Sequence, residues 1–136
     1  MRFTFTRLIV LLLALVLGTA SAHTAVASII PAADSTVSAP KEVVLKFSEP
    51  IELRFSTFRV MALGADMEPV DGARAALALK ADAPTLVNLP LSARTLAAQL
   101  RIPLKVSLKA GAYVVAWKIL SEDGHPVTGH SVFTVK

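Results

Sequence analysis

The 136-residue chain contains no cysteine. Without thiols it forms no disulfides, thiolate zinc sites or redox pairs, and it has no cysteine nucleophile. A lipid-modified N-terminal cysteine is excluded for the same reason. The folded domain must therefore be stabilised by its core, and a bound metal must be held by nitrogen, oxygen or methionine sulfur.

The chain also lacks clusters of like charge. Its formal net charge is +4, from 14 Lys and Arg against 10 Asp and Glu, and the two signs alternate along the sequence. Because no basic run stands out, a nucleic-acid partner is not indicated. Two of the basic residues, Arg2 and Arg7, lie in the N-terminal segment that is predicted below to be a cleaved leader, so the mature chain is expected to be closer to neutral.

No apolar run is long enough for a typical membrane span. Leu8–Leu17 is an unbroken apolar run, but a spanning helix needs about 20 such residues. With the leading arginines and the small-residue motif Ala20-Ser21-Ala22, this run predicts a secretory signal peptide at 1–22. An uncleaved N-terminal anchor is the alternative. We expect one exported domain, 23–136, located in the periplasm and not embedded in the membrane.

His23 directly follows the predicted cleavage site, so cleavage after Ala22 would make it the first residue of the mature chain. It would then offer two nitrogen donors, its free α-amine and its imidazole. A metal bound by the amine and Nδ1 closes a six-membered chelate ring. The amine has an ordinary pKa of about 7.7–8.0, so a metal can displace its proton near neutral pH. The alternative is a chance residue, since cleavage sites tolerate many types at this position.

The sequence after the leader predicts an all-β protein. In the strongest strand, Ala112–Ser121, the residues Tyr113, Val115, Trp117 and Ile119 share one face by period two. Further strands are predicted at Lys41–Phe47, Phe55–Leu63 and Val127–Val135, with weaker candidates at Ala75–Leu79 and Thr85–Leu89. Arg101–Leu108 is ambiguous because of Pro103, and Leu96–Leu100 is compatible with one helical turn. We expect a small Greek-key β-sandwich of about seven strands, immunoglobulin-like or cupredoxin-like. Its inter-sheet space is expected to hold the aromatic residues Phe47, Tyr113, Trp117 and Phe133.

A second group of candidate ligands follows the strongest strand. Asp123 and His125 are two residues apart, so in an extended chain both side chains point to one side. Gly124 permits a tight bend between them, and Pro126 favours an extended backbone at His125. The alternative is a plain hairpin connection, because Asp-Gly is a common turn pair. Together with His23 the segment offers three nitrogens and one oxygen, a set that suits Cu(II) or, less well, Ni(II).

Three stretches of the sequence resemble the CopC copper-resistance family of periplasmic copper-binding proteins. They are HTAVASIIPAADSTV, VVLKFSEPIE and AGAYVVAWKILSEDGHPVTGHSVFTV. The resemblance covers nearly the whole chain after the leader, and it implies a Greek-key β-sandwich. It also implies a Cu(II) site formed by His23, through its amine and imidazole, by His125 and by Asp123. Glu49, in the F-S-E-P motif, matches a position near the copper in some relatives. It is expected to be an axial ligand, a residue that contacts the ligands rather than the ion, or a solvated loop acid.

The chain departs from the family pattern in its methionines. Some members carry a Cu(I) site in a loop with several methionines and a histidine, whereas the corresponding stretch here is VMALGADMEPV. It contains Met61 and Met67 and no histidine, and Met61 fits a core position better. The sequence therefore predicts a member that binds Cu(II) only. His130, in the last strand, is expected to be a surface histidine.

Three functions are compatible with these features. The first is a periplasmic Cu(II) carrier or buffer in copper resistance or homeostasis, with an inner-membrane partner of the CopD type implied by the resemblance. The second is an enzyme, a copper oxidase or monooxygenase with a histidine brace. Asp123 argues against it, because an anionic oxygen ligand stabilises Cu(II) over Cu(I) and hinders redox cycling. The third is a metal-free immunoglobulin-like interaction module. We expect the carrier, which is not an enzyme.

Overall fold

The computed structural model describes residues 24–91, 96–120 and 124–136. Within these ranges the chain forms seven β-strands, a 3₁₀ turn at Leu53–Phe55 and one α-helix, α1, at Pro69–Ala78. The strands are β1 (Val26–Ile30), β2 (Thr36–Val37), β3 (Glu42–Glu52), β4 (Thr57–Ala62), β5 (Leu96–Pro103), β6 (Gly111–Leu120) and β7 (Pro126–Val135).

The strands form two sheets that face each other. One sheet has the order β1-β3-β5 and is antiparallel, and the other has the order β2-β7-β6-β4, in which only β2 runs parallel to its neighbour. Successive strands from β1 to β6 alternate between the sheets. The predicted Greek-key β-sandwich is therefore confirmed.

The main core lies between the two sheets, and β6 contributes one face to it. Tyr113, Val115 and Ile119 are buried there, and Trp117 packs against them while half-buried. Tyr113 stacks on Phe133 with ring centroids 5.5 Å apart. Phe47 is also buried in this core, so the aromatic residues occupy the inter-sheet space as the sequence predicts.

Helix α1 covers the outer face of the larger sheet. Ala73 and Ala76, one helical turn apart, are buried with Val114 and Ala116 of β6 in a second, smaller cluster. The prediction of a strand at Ala75–Leu79 is therefore wrong. Alanine is the best helix former, and small side chains let the helix approach the sheet closely. No helix in the described part of the chain is long and apolar enough to span a membrane.

Two further expectations need correction. Leu96–Leu100 is not a helical turn, because it begins β5, where Leu100 and Ile102 alternate into the core and Arg101 between them is exposed. Pro103 ends this strand rather than disrupting it. Thr85–Leu89 is not a strand of either sheet but makes isolated bridges through Leu86 and Asn88.

Asn88 is a buried polar residue that joins two segments of the sandwich. Its side-chain oxygen accepts a hydrogen bond of 2.7 Å from the amide of Val60, and only 5% of the residue is exposed. We expect Asn88→Ala to lower the free energy of unfolding by about 1–3 kcal/mol, because the buried Val60 amide loses its acceptor. Urea denaturation checks this value, and an unchanged midpoint would show that another group satisfies the amide.

Candidate metal site at one end of the sandwich

The predicted ligands are only partly within the described residues. His23 and Asp123 lie outside them, whereas His125 and Glu49 lie within. Across residues 24–91, 96–120 and 124–136, no three His, Asp or Glu side chains come together as a ligand cluster. The ligand set as a whole therefore stays a prediction, and the structure bears on it through the residues adjoining each ligand.

One groove contains the residue that follows His23, the last residue of the strand that precedes Asp123 and His125, and Glu49. The groove has a volume of about 580 Å³ and is lined by Thr24, Glu49 and Leu120, among others. Thr24 is bonded directly to His23, and Leu120 is the last residue of β6, from which the segment containing Asp123 and His125 continues. The described chain thus begins at a groove that also contains the end of β6.

The start of the described chain is anchored to β3. The amide of Ala25 donates a hydrogen bond of 2.9 Å to Oγ of Ser48, and the amide of Ser48 donates one of 2.9 Å to the carbonyl of Ala25. Thr24 is only 2% exposed. The register between β1 and β3 shifts immediately afterwards, between Val26 and Ser28. These contacts hold the chain in place within two residues of His23.

The segment that carries His125 is held at its base by strand pairing. Leu120 at the end of β6 pairs with Pro126 at the start of β7, and His125 directly precedes Pro126 and is exposed. Gly124 has φ = +84°, a left-handed conformation that disfavours side chains with a Cβ. The glycine predicted to permit a bend therefore does form one, two residues before Pro126, the strand partner of the groove-lining residue Leu120.

A close contact beneath this segment limits side-chain size. A Cβ added to Gly129 would lie 2.6 Å from ring atoms of Trp117, its partner in β6. Glycine thus allows the indole to lie flat against β7. The half-buried indole thus packs against β7 three residue pairs from the Leu120–Pro126 end of the sheet.

The other candidate histidine lies elsewhere. His130 is exposed, as the sequence predicts, and pairs with Ala116, four residue pairs from the Leu120–Pro126 end. At about 3.4 Å per residue this separation is about 14 Å. His130 lines a different groove together with Arg74 of α1, and this groove extends to Pro126, the neighbour of His125.

Met61 and Met67 lie in different environments. Met61 is half-buried and packs against the cluster beneath α1, whereas Met67 is 40% exposed. The expectation that Met61 serves packing is therefore confirmed. This arrangement accounts for Met61 without a ligand role.

A third cleft, of about 310 Å³, contains Arg59. Its guanidinium donates hydrogen bonds to the carbonyls of Phe58 and Leu79, at 2.9 Å and 3.4 Å. Burial lowers the pKa of Arg59 below its ordinary value, but an arginine stays protonated at neutral pH. Because it bridges β4 to the residue that follows α1, we assign Arg59 a structural role.

The fold places the chain among small two-sheet β-sandwich proteins, and comparison with known proteins assigns its family. Residues 26–136 match the family model described as the CopC domain. The chain is 35% identical to Copper resistance protein C of Escherichia coli over 121 residues, which cover 86% of this chain and 84% of that protein. The chain belongs to the CopC family.

Further relatives agree with this assignment. Copper resistance protein C of Pseudomonas syringae pv. tomato is 33% identical over 125 residues, which cover 90% of this chain and 87% of that protein. Among solved structures, PcoC, a methionine-rich copper resistance protein from Escherichia coli, is 32% identical with a TM-score of 0.58. That match covers 85% of this chain and 100% of PcoC.

Sequence reasoning missed two residues at this end of the sandwich, Thr24 and Ser48. Thr24 gives no signal, since a threonine beside a predicted cleavage site is expected to be solvated. Ser48 belongs to the F-S-E-P motif, in which the sequence predicts a role at the metal site for Glu49 only. The Ser48–Ala25 contact joins residues 23 positions apart, and no local pattern specifies such a pairing.

Proposed function

We propose that this protein is an exported Cu(II)-binding protein, a periplasmic carrier or buffer in copper resistance or homeostasis. In this proposal residues 1–22 are removed as a signal peptide, and the mature chain begins at His23. The ion is held by the α-amine and imidazole of His23, the imidazole of His125 and the carboxylate of Asp123.

One observation carries the proposal. Thr24, which follows His23, and Leu120, the last residue of β6 before the segment with Asp123 and His125, line the same groove as Glu49. Thr24 is bonded to His23, and Leu120 pairs with Pro126, the neighbour of His125, which supports the proposal that both groups of ligands share one site at this end of the sandwich. The relatives named Copper resistance protein C support copper as the ion.

The donor set fits the Cu(II) ion. Three nitrogens and one oxygen suit the tetragonal geometry of Cu(II), and Cu(II) leads the divalent metals in affinity for such sites. The relative PcoC is described as methionine-rich, whereas this chain has 3 methionines, including Met1. Soft thioethers are the ligands that Cu(I) prefers, so we propose a member specific for Cu(II).

Transport or buffering fits this donor set better than catalysis. The anionic oxygen of Asp123 stabilises Cu(II) over Cu(I), which opposes the redox cycling of a copper oxidase or monooxygenase. Glu49 is half-buried in the groove. We propose that it either contacts the ligands rather than the ion or is an axial ligand. A CopD-type inner-membrane protein is the proposed exchange partner.

Titration of the exported protein with Cu(II) tests this function. We expect one ion per chain and a tetragonal electron paramagnetic resonance spectrum with nitrogen coupling, because three of the four proposed donors are nitrogens. Absence of binding, or a spectrum identical to that of copper in buffer, would instead support a metal-free interaction module.

A further inference from the structure

Ser48 occupies a position from which it can set the geometry of the chain start. It is the residue of β3 that meets Ala25, and it contributes both its backbone amide and its hydroxyl to that contact. The two hydrogen bonds are each 2.9 Å long and run in opposite directions between the same two residues. They form what we call the Ser48 clamp.

The clamp lies where the regular ladder between β1 and β3 ends. Val26 pairs with Phe47, after which the register shifts before Ser28. Among the described residues the regular β1–β3 pairing begins at Val26, so the clamp and the burial of Thr24 take the place of regular pairing before it. Without them, Thr24 and Ala25 would be a loose end of the strand, as the first residues of domains commonly are.

We infer that Ser48 is a positioning residue for metal binding, which holds Thr24 and Ala25 in place so that the ion does not have to order them. This inference rests on the proposed function. Ordering the backbone of one residue opposes binding by a factor of roughly 5 to 30. A terminus already fixed at Thr24 and Ala25 avoids that penalty for two residues.

The hydroxyl is the part of the clamp that substitution can remove selectively. Ser48 is exposed, so Ser48→Ala removes one hydrogen bond while the backbone bond from the Ser48 amide can persist. A net hydrogen bond corresponds to a factor of about 3 to 10 in an equilibrium constant. We therefore expect Ser48→Ala to weaken Cu(II) binding by about 10-fold, and Ser48→Thr, which keeps the hydroxyl, to restore most of it.

A readout on the metal-free protein separates positioning from general destabilisation. Hydrogen exchange at the Ala25 amide should be faster in Ser48→Ala, while exchange in β6 stays as in the unaltered protein. Ser35→Ala is the matched control, because Ser35 donates a 2.6 Å bond to the Ala32 carbonyl next to β2. This control should leave copper affinity unchanged, since β2 pairs with the far end of β7.

A double-mutant cycle makes the inference decisive. An alanine inserted before His23 converts the terminal amine into an amide, and in that background Ser48→Ala should have little further effect on affinity. If the insertion weakens binding but Ser48→Ala in the normal chain does not, the Ser48 clamp has no positioning role and the proposed site stands. If the insertion itself has no effect, the proposed site fails.

Discussion

Insertion of one alanine between Ala22 and His23 is expected to weaken Cu(II) binding by about 100-fold or more. The inserted residue turns the amine of His23 into a peptide amide and opens the six-membered chelate ring. Loss of a group that hydrogen-bonds to a metal ligand typically weakens metal binding about 10- to 100-fold. Loss of a ligand itself is therefore expected to weaken Cu(II) binding by at least about 100-fold. Competition titration against a chelator of known affinity measures the effect.

Two substitutions accompany this experiment. His125→Ala should also weaken binding strongly, because it removes the imidazole that opposes the chain start. His130→Ala is the matched control, since His130 is exposed on the α1 side of the sheet and should leave affinity unchanged. Equal effects of the two histidine substitutions would contradict the assignment of His125 as the ligand.

Phe58→Ala should lower the free energy of unfolding by about 3–5 kcal/mol, the usual effect of removing a large aromatic side chain from a core. Phe58 is 1% exposed in β4 and lies between the sheets, with its ring centroid 6.0 Å from that of Phe47. A loss of that size is a large part of the stability of a typical domain, which is about 5–15 kcal/mol. Urea denaturation followed by the fluorescence of Trp117 measures it.

Phe55 provides the matched control for this experiment. It is 57% exposed, and the guanidinium of Arg54 lies over its ring at 4.6 Å. Such an exposed cation–π contact contributes about 0.5–1 kcal/mol, so Phe55→Ala should change stability by no more than about 1 kcal/mol. A comparable loss in both variants would mean that Phe58 does not anchor the contact between the sheets.

The elements predicted correctly are those whose pattern has a single physical interpretation. The period of two in β6 places Tyr113 and Val115 on one face, and only a sandwich core buries such a face. The alanine-rich segment around Ala76 has no comparable contrast of polarity, so its helix is specified by packing on the sheet. Leu96 and Leu100 have the spacing of a helical turn, but pairing with β3 makes that segment a strand.

The candidate site likewise has one part that local sequence patterns predict and another that they do not. Its chemistry is a prediction from the sequence, in which His23 follows a cleavage motif and Asp123 and His125 flank a glycine, and it stays a prediction. Its support could not be predicted, since the bond between Ala25 and Ser48 and the groove shared by Thr24 and Leu120 depend on how distant strands meet. Local patterns specify residue types, whereas these contacts follow from the sheet arrangement.

Native mass spectrometry of the exported protein loaded with one equivalent of Cu(II) tests the central claim most directly. The predicted result is a single species whose mass equals that of residues 23–136 plus one copper ion. A mature chain that begins at any residue other than His23, or one that retains no copper at that stoichiometry, would contradict the proposed site.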